Sequence, residues 1–124
     1  MARIVIAEDE KDIRNLVVFT LKNLAGHEVF AAKNGEEAVE KVREERPDLI
    51  LLDVRMPKMT GYEACEKIKN DESLKDIPVV FLSAKGQDNE IQTGLGLGAI
   101  KYILKPFSPD KLTAEVKQIL EQTS

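Results

Sequence analysis

Four short apolar runs in this 124-residue chain each end on a residue able to do chemistry. Glu8 and Asp9 follow Ile4 to Ala7, Asp53 follows Leu49 to Leu52, Ser83 follows Val79 to Leu82, and Lys105 follows Tyr102 to Leu104. A fifth run, Val29 to Ala32, is followed by Lys33-Asn34-Gly35 and carries no such group. Brought together, the carboxylates repel, since two like charges ~4 Å apart cost about 4 kcal/mol at an effective dielectric of ~20. The pattern therefore calls for a cation. Mg²⁺ is a hard ion that prefers oxygen and commonly combines one or two carboxylates with waters and a phosphate oxygen, which suits Asp9 and Asp53, with Mn²⁺ as the alternative ion. Lys105 adds a fixed positive charge and Ser83 a hydroxyl. A metal ion, an ammonium and a hydroxyl around one carboxylate are the parts that neutralise a phosphoryl group as charge spreads over its oxygens, which makes Asp53 the expected acceptor.

Taken singly, each residue has a plainer reading. Glu8-Asp9-Glu10 suits the start of a helix, where acidic side chains interact well with the dipole. Ser83 alone reads as a helix cap, Lys105 as a surface lysine, and Asp53 as a turn residue before Met56-Pro57. The placement of all of them after separate strands is what carries the chemical reading.

The elements that must position these residues alternate along the chain. Between the apolar runs lie segments of helical spacing: Ile13, Leu16, Val17, Thr20, Leu21 and Leu24; Ala38, Val39 and Val42; Tyr62, Cys65 and Ile68; and Leu112, Val116, Ile119 and Leu120. A further helix after Ser83 is expected to be short or mobile, because Gly94, Gly96 and Gly98 each cost roughly 1 kcal/mol relative to Ala. Asn34-Gly35, Pro47 and Pro78 punctuate the boundaries. Alternation with nearly continuous apolar strands predicts an α/β domain: a doubly wound parallel sheet with helices on both faces and right-handed crossovers. An order of 2-1-3-4-5 would put the chemically silent second strand outside and set the acidic loops side by side, at the carboxyl edge where such sheets bind ligands.

Composition bounds the rest. One domain over residues 1–124 is expected at this length. Apolar residues make up 43% and no run reaches the ~20 needed to span a bilayer, so no membrane insertion is expected. The first residues lack the pattern of a secretory peptide, which by default implies a cytoplasmic location. Eighteen basic against 22 acidic residues give a net charge of -4 and no electrostatic reason for direct nucleic-acid binding. Cys65, the lone cysteine, reads as a packing residue, and His27, the lone histidine, as structural or solvated, so a phosphohistidine donor would come from another protein.

The sequence resembles the receiver domain of bacterial two-component response regulators from Arg3 to about Gln122. The resemblance lies in Ile4-Val5-Ile6-Ala7-Glu8-Asp9-Glu10, Leu51-Leu52-Asp53-Val54-Arg55-Met56-Pro57 with Gly61, Leu82-Ser83-Ala84, and Tyr102-Ile103-Leu104-Lys105-Pro106-Phe107. It implies the flavodoxin-like receiver fold: a five-stranded 2-1-3-4-5 sheet flanked by five helices. It also implies Asp53 as phosphoacceptor, Asp9 and Asp53 as metal ligands, Glu8 acting through water, and Arg55 lending a backbone carbonyl to the metal. Ser83 and Tyr102 would be switch residues, Ala84 the small neighbour leaving access, and Lys105 the phosphoryl partner, aimed inward by a cis bond to Pro106. Arg55 and Lys85 would tune the lifetime of the acyl phosphate. The implied donor is a histidine kinase or histidine phosphotransfer protein. The output surface would be the fourth helix, fifth strand and fifth helix of a monomer or a phosphorylation-dependent dimer. Such a protein is a switch and not an enzyme, catalysing only its own phosphoryl transfer and slow dephosphorylation.

Three departures from the family pattern stand out. The acidic pair is Glu8-Asp9 where two aspartates are usual, Ile100-Lys101 replaces a small or acidic pair, and glycines crowd Gly94 to Gly98. The last two lie near the expected output face, predicting a face more mobile before phosphorylation than is typical. Rival classes fit less well. A haloacid-dehalogenase-type phosphatase needs an aspartate where Arg55 stands, and a flavodoxin-like cofactor carrier would place donors, not Glu8-Asp9-Glu10-Lys11-Asp12, in its first loop. A phosphorylation-independent receiver-like module would be expected to have lost part of the acidic, hydroxyl and lysine set.

Overall fold

All five apolar runs are strands, joined into one parallel sheet in a computed structural model that describes residues 2–83, 96–105 and 107–123. The strands are β1 (Arg3–Ala7), β2 (Glu28–Ala32), β3 (Leu49–Asp53), β4 (Val79–Ser83) and β5 (Lys101–Leu104), in the spatial order β2-β1-β3-β4-β5. Four α-helices lie among the described residues: α1 (Lys11–Phe19), α2 (Gly35–Glu45), α3 (Gly61–Lys69) and α4 (Pro109–Thr123). The predicted helix after Ser83 falls largely on residues 84–95, outside the described residues; of its three glycines Gly96 and Gly98 are described, Gly98 at φ +100°.

Burial on both faces explains the composition of the strands. Every residue of β3 and β4 is buried, and alternate side chains feed two separate cores. One face packs Ile50, Leu52, Val79 and Phe81 against Ala38, Val39 and Val42 of α2 and Ala64, Cys65 and Ile68 of α3. The other packs Leu49, Leu51, Val80, Leu82 and Ile103 against Val17 and Leu21 and against Leu112, Val116 and Ile119 of α4. Each valine, leucine, isoleucine or phenylalanine among them, fully buried, contributes about 1.5–3 kcal/mol relative to exposure. Cys65 is a member of the first core and burial raises its thiol pKa to about 11, so it packs as a small apolar residue. His27 Nδ1 accepts the Ala2 N–H at 3.1 Å, a structural role.

Two local outcomes differ from the helical spacing. The first helix widens into a π turn, Thr20–Leu24, after Phe19, and Leu16 and Leu24 remain 40% and 62% exposed while Val17, Thr20 and Leu21 are buried. The widened turn carries Leu24 off the inward stripe that a continuous α-helix would define. Asp53 and Ser83 are also the last residues of their strands, not the first of the following loops, so the sheet ladder itself fixes their backbones. Parallel pairing brings Ala7, Asp53, Ser83 and Leu104 to the same edge.

Candidate functional site

The edge is assembled from backbone outward. β1 ends at Ala7, and the Glu8 N–H continues the ladder by donating to Ala32 O at 3.1 Å. Arg14, on α1, donates from Nη1 to Glu8 O at 2.9 Å and Asp9 O at 3.2 Å, holding the acidic turn against its helix. At the end of β3, Val54 N donates to Leu82 O and Gly61 N to Val54 O, so the loop from 54 to 60 closes on itself. The closure requires glycine at 61: a Cβ there would lie 2.1 Å from the Asp53 carbonyl oxygen. Within the loop Lys58 takes φ +65°, a left-handed value uncommon for a side-chain-bearing residue. The Met59 carbonyl then accepts Gly35 N at 3.1 Å, where a Cβ on Gly35 would meet that oxygen at 2.3 Å. Thr60 and Glu63 form a reciprocal capping box that starts α3.

On this frame the predicted residues converge. Carboxylate oxygens of Glu8, Asp9 and Asp53 all lie within 4.8 Å of one another, Glu8 fully buried, Asp53 6% exposed and Asp9 exposed. Lys105 Nζ donates to Asp53 Oδ1 at 3.0 Å and sits 2.5 Å from Glu8 Oε1. Its backbone is anchored as well, Lys105 N donating to Ser83 O at 2.7 Å. Ser83 is buried on β4, one residue beyond the Leu82 that pairs with Asp53. Arg55 is exposed two residues past Asp53. Lys85, Ala84 and the bond from Lys105 to Pro106 lie outside the described residues.

Electrostatics follow from this crowding. Asp53 is raised from 3.8 to about 7, first by burial and then by the neighbouring Glu8 charge, against the opposing pull of Lys105. Burial lowers the Lys105 pKa, but its contacts with Glu8 and Asp53 outweigh that, so the ammonium is held above its ordinary value. Among the described residues no donor is aligned on the buried Glu8 Oε1 by hydrogen-bond geometry, although Lys105 Nζ lies beside it. Among the described residues Lys105 thus contacts two of the three clustered carboxylates, and a buried Glu8 oxygen is left without an aligned donor. An all-oxygen donor set with surplus negative charge fits a hard divalent cation, and fits no nitrogen- or sulfur-preferring metal.

Tyr102 stands apart from this cluster. Half-buried on β5, it lies on the face covered by α3, where its hydroxyl is 2.7 Å from that of Tyr62. Tyr62 was legible only as an apolar helix position, since its partner lies 40 residues away. The grip of Arg14 on the acidic turn was likewise invisible, its only sequence signal being a basic residue one turn into α1.

A 2-1-3-4-5 parallel sheet carrying an acidic cluster and a half-buried lysine at its carboxyl edge defines the class as flavodoxin-like, in the manner of chemotaxis regulators. The model of the response regulator receiver domain matches residues 4–117, and the chain belongs to that family. The Pseudomonas aeruginosa phosphate regulon transcriptional regulatory protein PhoB is 44% identical over 121 residues, covering 97% of this chain and 52% of that protein. The Bacillus subtilis alkaline phosphatase synthesis transcriptional regulatory protein PhoP is 39% identical, covering 98% and 49%. The chain therefore spans about half the length of the curated relatives it matches. Among solved structures, Vibrio cholerae chemotaxis protein CheY4 superposes with a TM-score of 0.91 at 34% identity, covering 96% of this chain and 98% of that one. No helix among the described residues is long and apolar enough to cross a membrane.

Proposed function

We propose that this domain accepts a phosphoryl group on Asp53 from a partner's phosphohistidine, on a histidine kinase or phosphotransfer protein, and presents an altered surface in response. The observation that carries this reading is the Asp53 carboxylate, 3.0 Å from Lys105 Nζ and within 4.8 Å of the Glu8 and Asp9 oxygens. Asp9, Asp53 and the Arg55 carbonyl would hold Mg²⁺, with Glu8 reached through water. When bound, the ion supplies charge neutralisation for the phosphoryl oxygens.

The chain's own residues do the remaining work. The ladder and the Gly61 contact fix the Asp53 carboxylate at the edge, where one oxygen can attack in line. Transfer forms a bond from that oxygen to phosphorus and breaks the bond to the donor's histidine nitrogen. Lys105 then follows the transferred charge, leaving Glu8 as it pairs with a phosphoryl oxygen. The Ser83 hydroxyl supplies a second contact to the group, which carries roughly -1.5 to -2 charge. Movement of Ser83 and burial of Tyr102 convert that charge into a changed surface around β5 and α4, read by a protein partner. Arg55 and Lys85 stand at the positions that tune the acyl phosphate in the family pattern, so their replacement is expected to alter its lifetime more than Mg²⁺ affinity. Unchanged lifetimes in both variants would refute that role.

Incubation with a small phosphodonor and Mg²⁺, followed by intact mass measurement, tests the proposal. Wild type should gain one phosphoryl group and Asp53→Asn none; equal labelling of the two would refute it.

A further inference from the structure

Between Asp53 and β5 the described residues contain a chain of contacts that runs through α3. Gly61 leaves no room for a Cβ beside the Asp53 carbonyl, and its N–H is bonded to Val54 O at 3.0 Å. Tyr62 is the next residue, on a first turn stiffened by the Thr60–Glu63 capping box. Its ring meets the fully buried Phe81 edge-on, centroids 5.0 Å apart at 79°, and Phe81 in turn touches the Tyr102 ring at 5.4 Å and 44°. The two tyrosine hydroxyls close the triangle at 2.7 Å.

We propose that Tyr62 is a positioning residue for Tyr102, its hydroxyl holding the Tyr102 ring inward before Asp53 carries a phosphoryl group. The proposal deepens the reading of Tyr102 as the switch and rests on it. The hydroxyl contact at 2.7 Å holds only while the Tyr102 ring is inward, and its loss weakens that orientation whatever other contacts the two side chains keep. The inward orientation is therefore favoured in the resting protein, and the domain is partly pre-set toward its phosphorylated surface. Because Tyr62 is tied through Gly61 to the backbone of the acceptor, a displacement of the 53–54 segment on phosphorylation moves the α3 turn that carries the hydroxyl. The phosphoryl signal then reaches β5 through α3 as well as through Ser83.

The chain has two tyrosines and no tryptophan, so NMR of protein carrying [ζ-¹³C]tyrosine yields two signals, each assigned by its phenylalanine variant. Tyr62→Phe keeps the ring against Phe81 and removes only the hydroxyl. In unphosphorylated Tyr62→Phe, the outward-to-inward ratio of Tyr102 should rise roughly 3- to 10-fold. That change would appear as a shift toward the solvent-exposed position and stronger relaxation by a soluble nitroxide. A Tyr102 signal unmoved in shift and in nitroxide sensitivity would overturn the proposal. In parallel, Tyr62→Phe should take up phosphoryl to the same extent as wild type, with Tyr102 returning inward in the labelled protein. Failure of both proteins to label would overturn the acceptor reading of Asp53, while the resting spectra still decide whether Tyr62 holds Tyr102.

Discussion

Replacing Asp53 with Asn should stabilise the fold, and by an amount that depends on pH. The Asp53 carboxyl is buried beside Glu8, which raises it from 3.8 to about 7 in the folded chain. Below about pH 4 the proton is bound in both folded and unfolded chains and costs nothing. Between about pH 4 and about pH 7 only the folded chain keeps it, so stability falls as pH rises, and above about pH 7 the loss is complete. At 1.36 kcal/mol per pH unit the full interval is on the order of 4 kcal/mol. Relaxation of Lys105 and water entry at the edge reduce this to an expected gap of about 2–4 kcal/mol between variant and wild type at about pH 8. Asn retains an oxygen for the Lys105 ammonium, so the comparison isolates the charge. Denaturant unfolding of both proteins in chelator-treated buffer, from about pH 4 to about pH 8, reads the gap directly. It should open steadily through the interval, and Mg²⁺ added at the upper end should narrow it by stabilising wild type. Parallel pH profiles for the two proteins would refute the argument, because they would mean that no penalty attaches to the ionised carboxyl.

Other perturbations probe the same frame. Lys105→Met leaves Glu8 and Asp53 facing each other without their ammonium and should cost about 3 kcal/mol in metal-free buffer, partly restored by Mg²⁺; denaturation midpoints with and without the ion check it. Phosphoryl uptake by that variant should also fall sharply in the small-donor assay. Gly61→Ala places a Cβ 2.1 Å from the Asp53 carbonyl oxygen, backbone against backbone, so the loop must shift at a cost of about 1–3 kcal/mol. Thermal unfolding gives that cost, and slower labelling of Asp53 should accompany it.

The sheet was legible because its strands are buried on both faces and read as nearly continuous apolar runs, as in Leu49 to Leu52. The convergence of Glu8, Asp9, Asp53 and Lys105 followed from strand order alone, since a parallel sheet brings its carboxyl ends to one edge. What escaped were contacts set by tertiary packing. The hydroxyl bond from Tyr62 to Tyr102 joins residues whose separation in the chain gives no periodic signal. The widening of the first helix at Thr20–Leu24 shows no marker in its apolar pattern, which continues at helical spacing through Leu24. Gly61 belonged to the family pattern, but its reason, the approach to the Asp53 carbonyl, needed coordinates.

The central claim is that one carboxyl, Asp53, forms the acyl phosphate. Borohydride reduction of the phosphodonor-treated protein, followed by peptide mapping, tests it most directly, since an aspartyl phosphate is reduced to homoserine and a free carboxylate is not. Homoserine at position 53, dependent on Mg²⁺ and on Lys105, is the predicted result. Homoserine at Asp9 or elsewhere, or an unreduced residue 53 in protein that has gained a phosphoryl group, would contradict it.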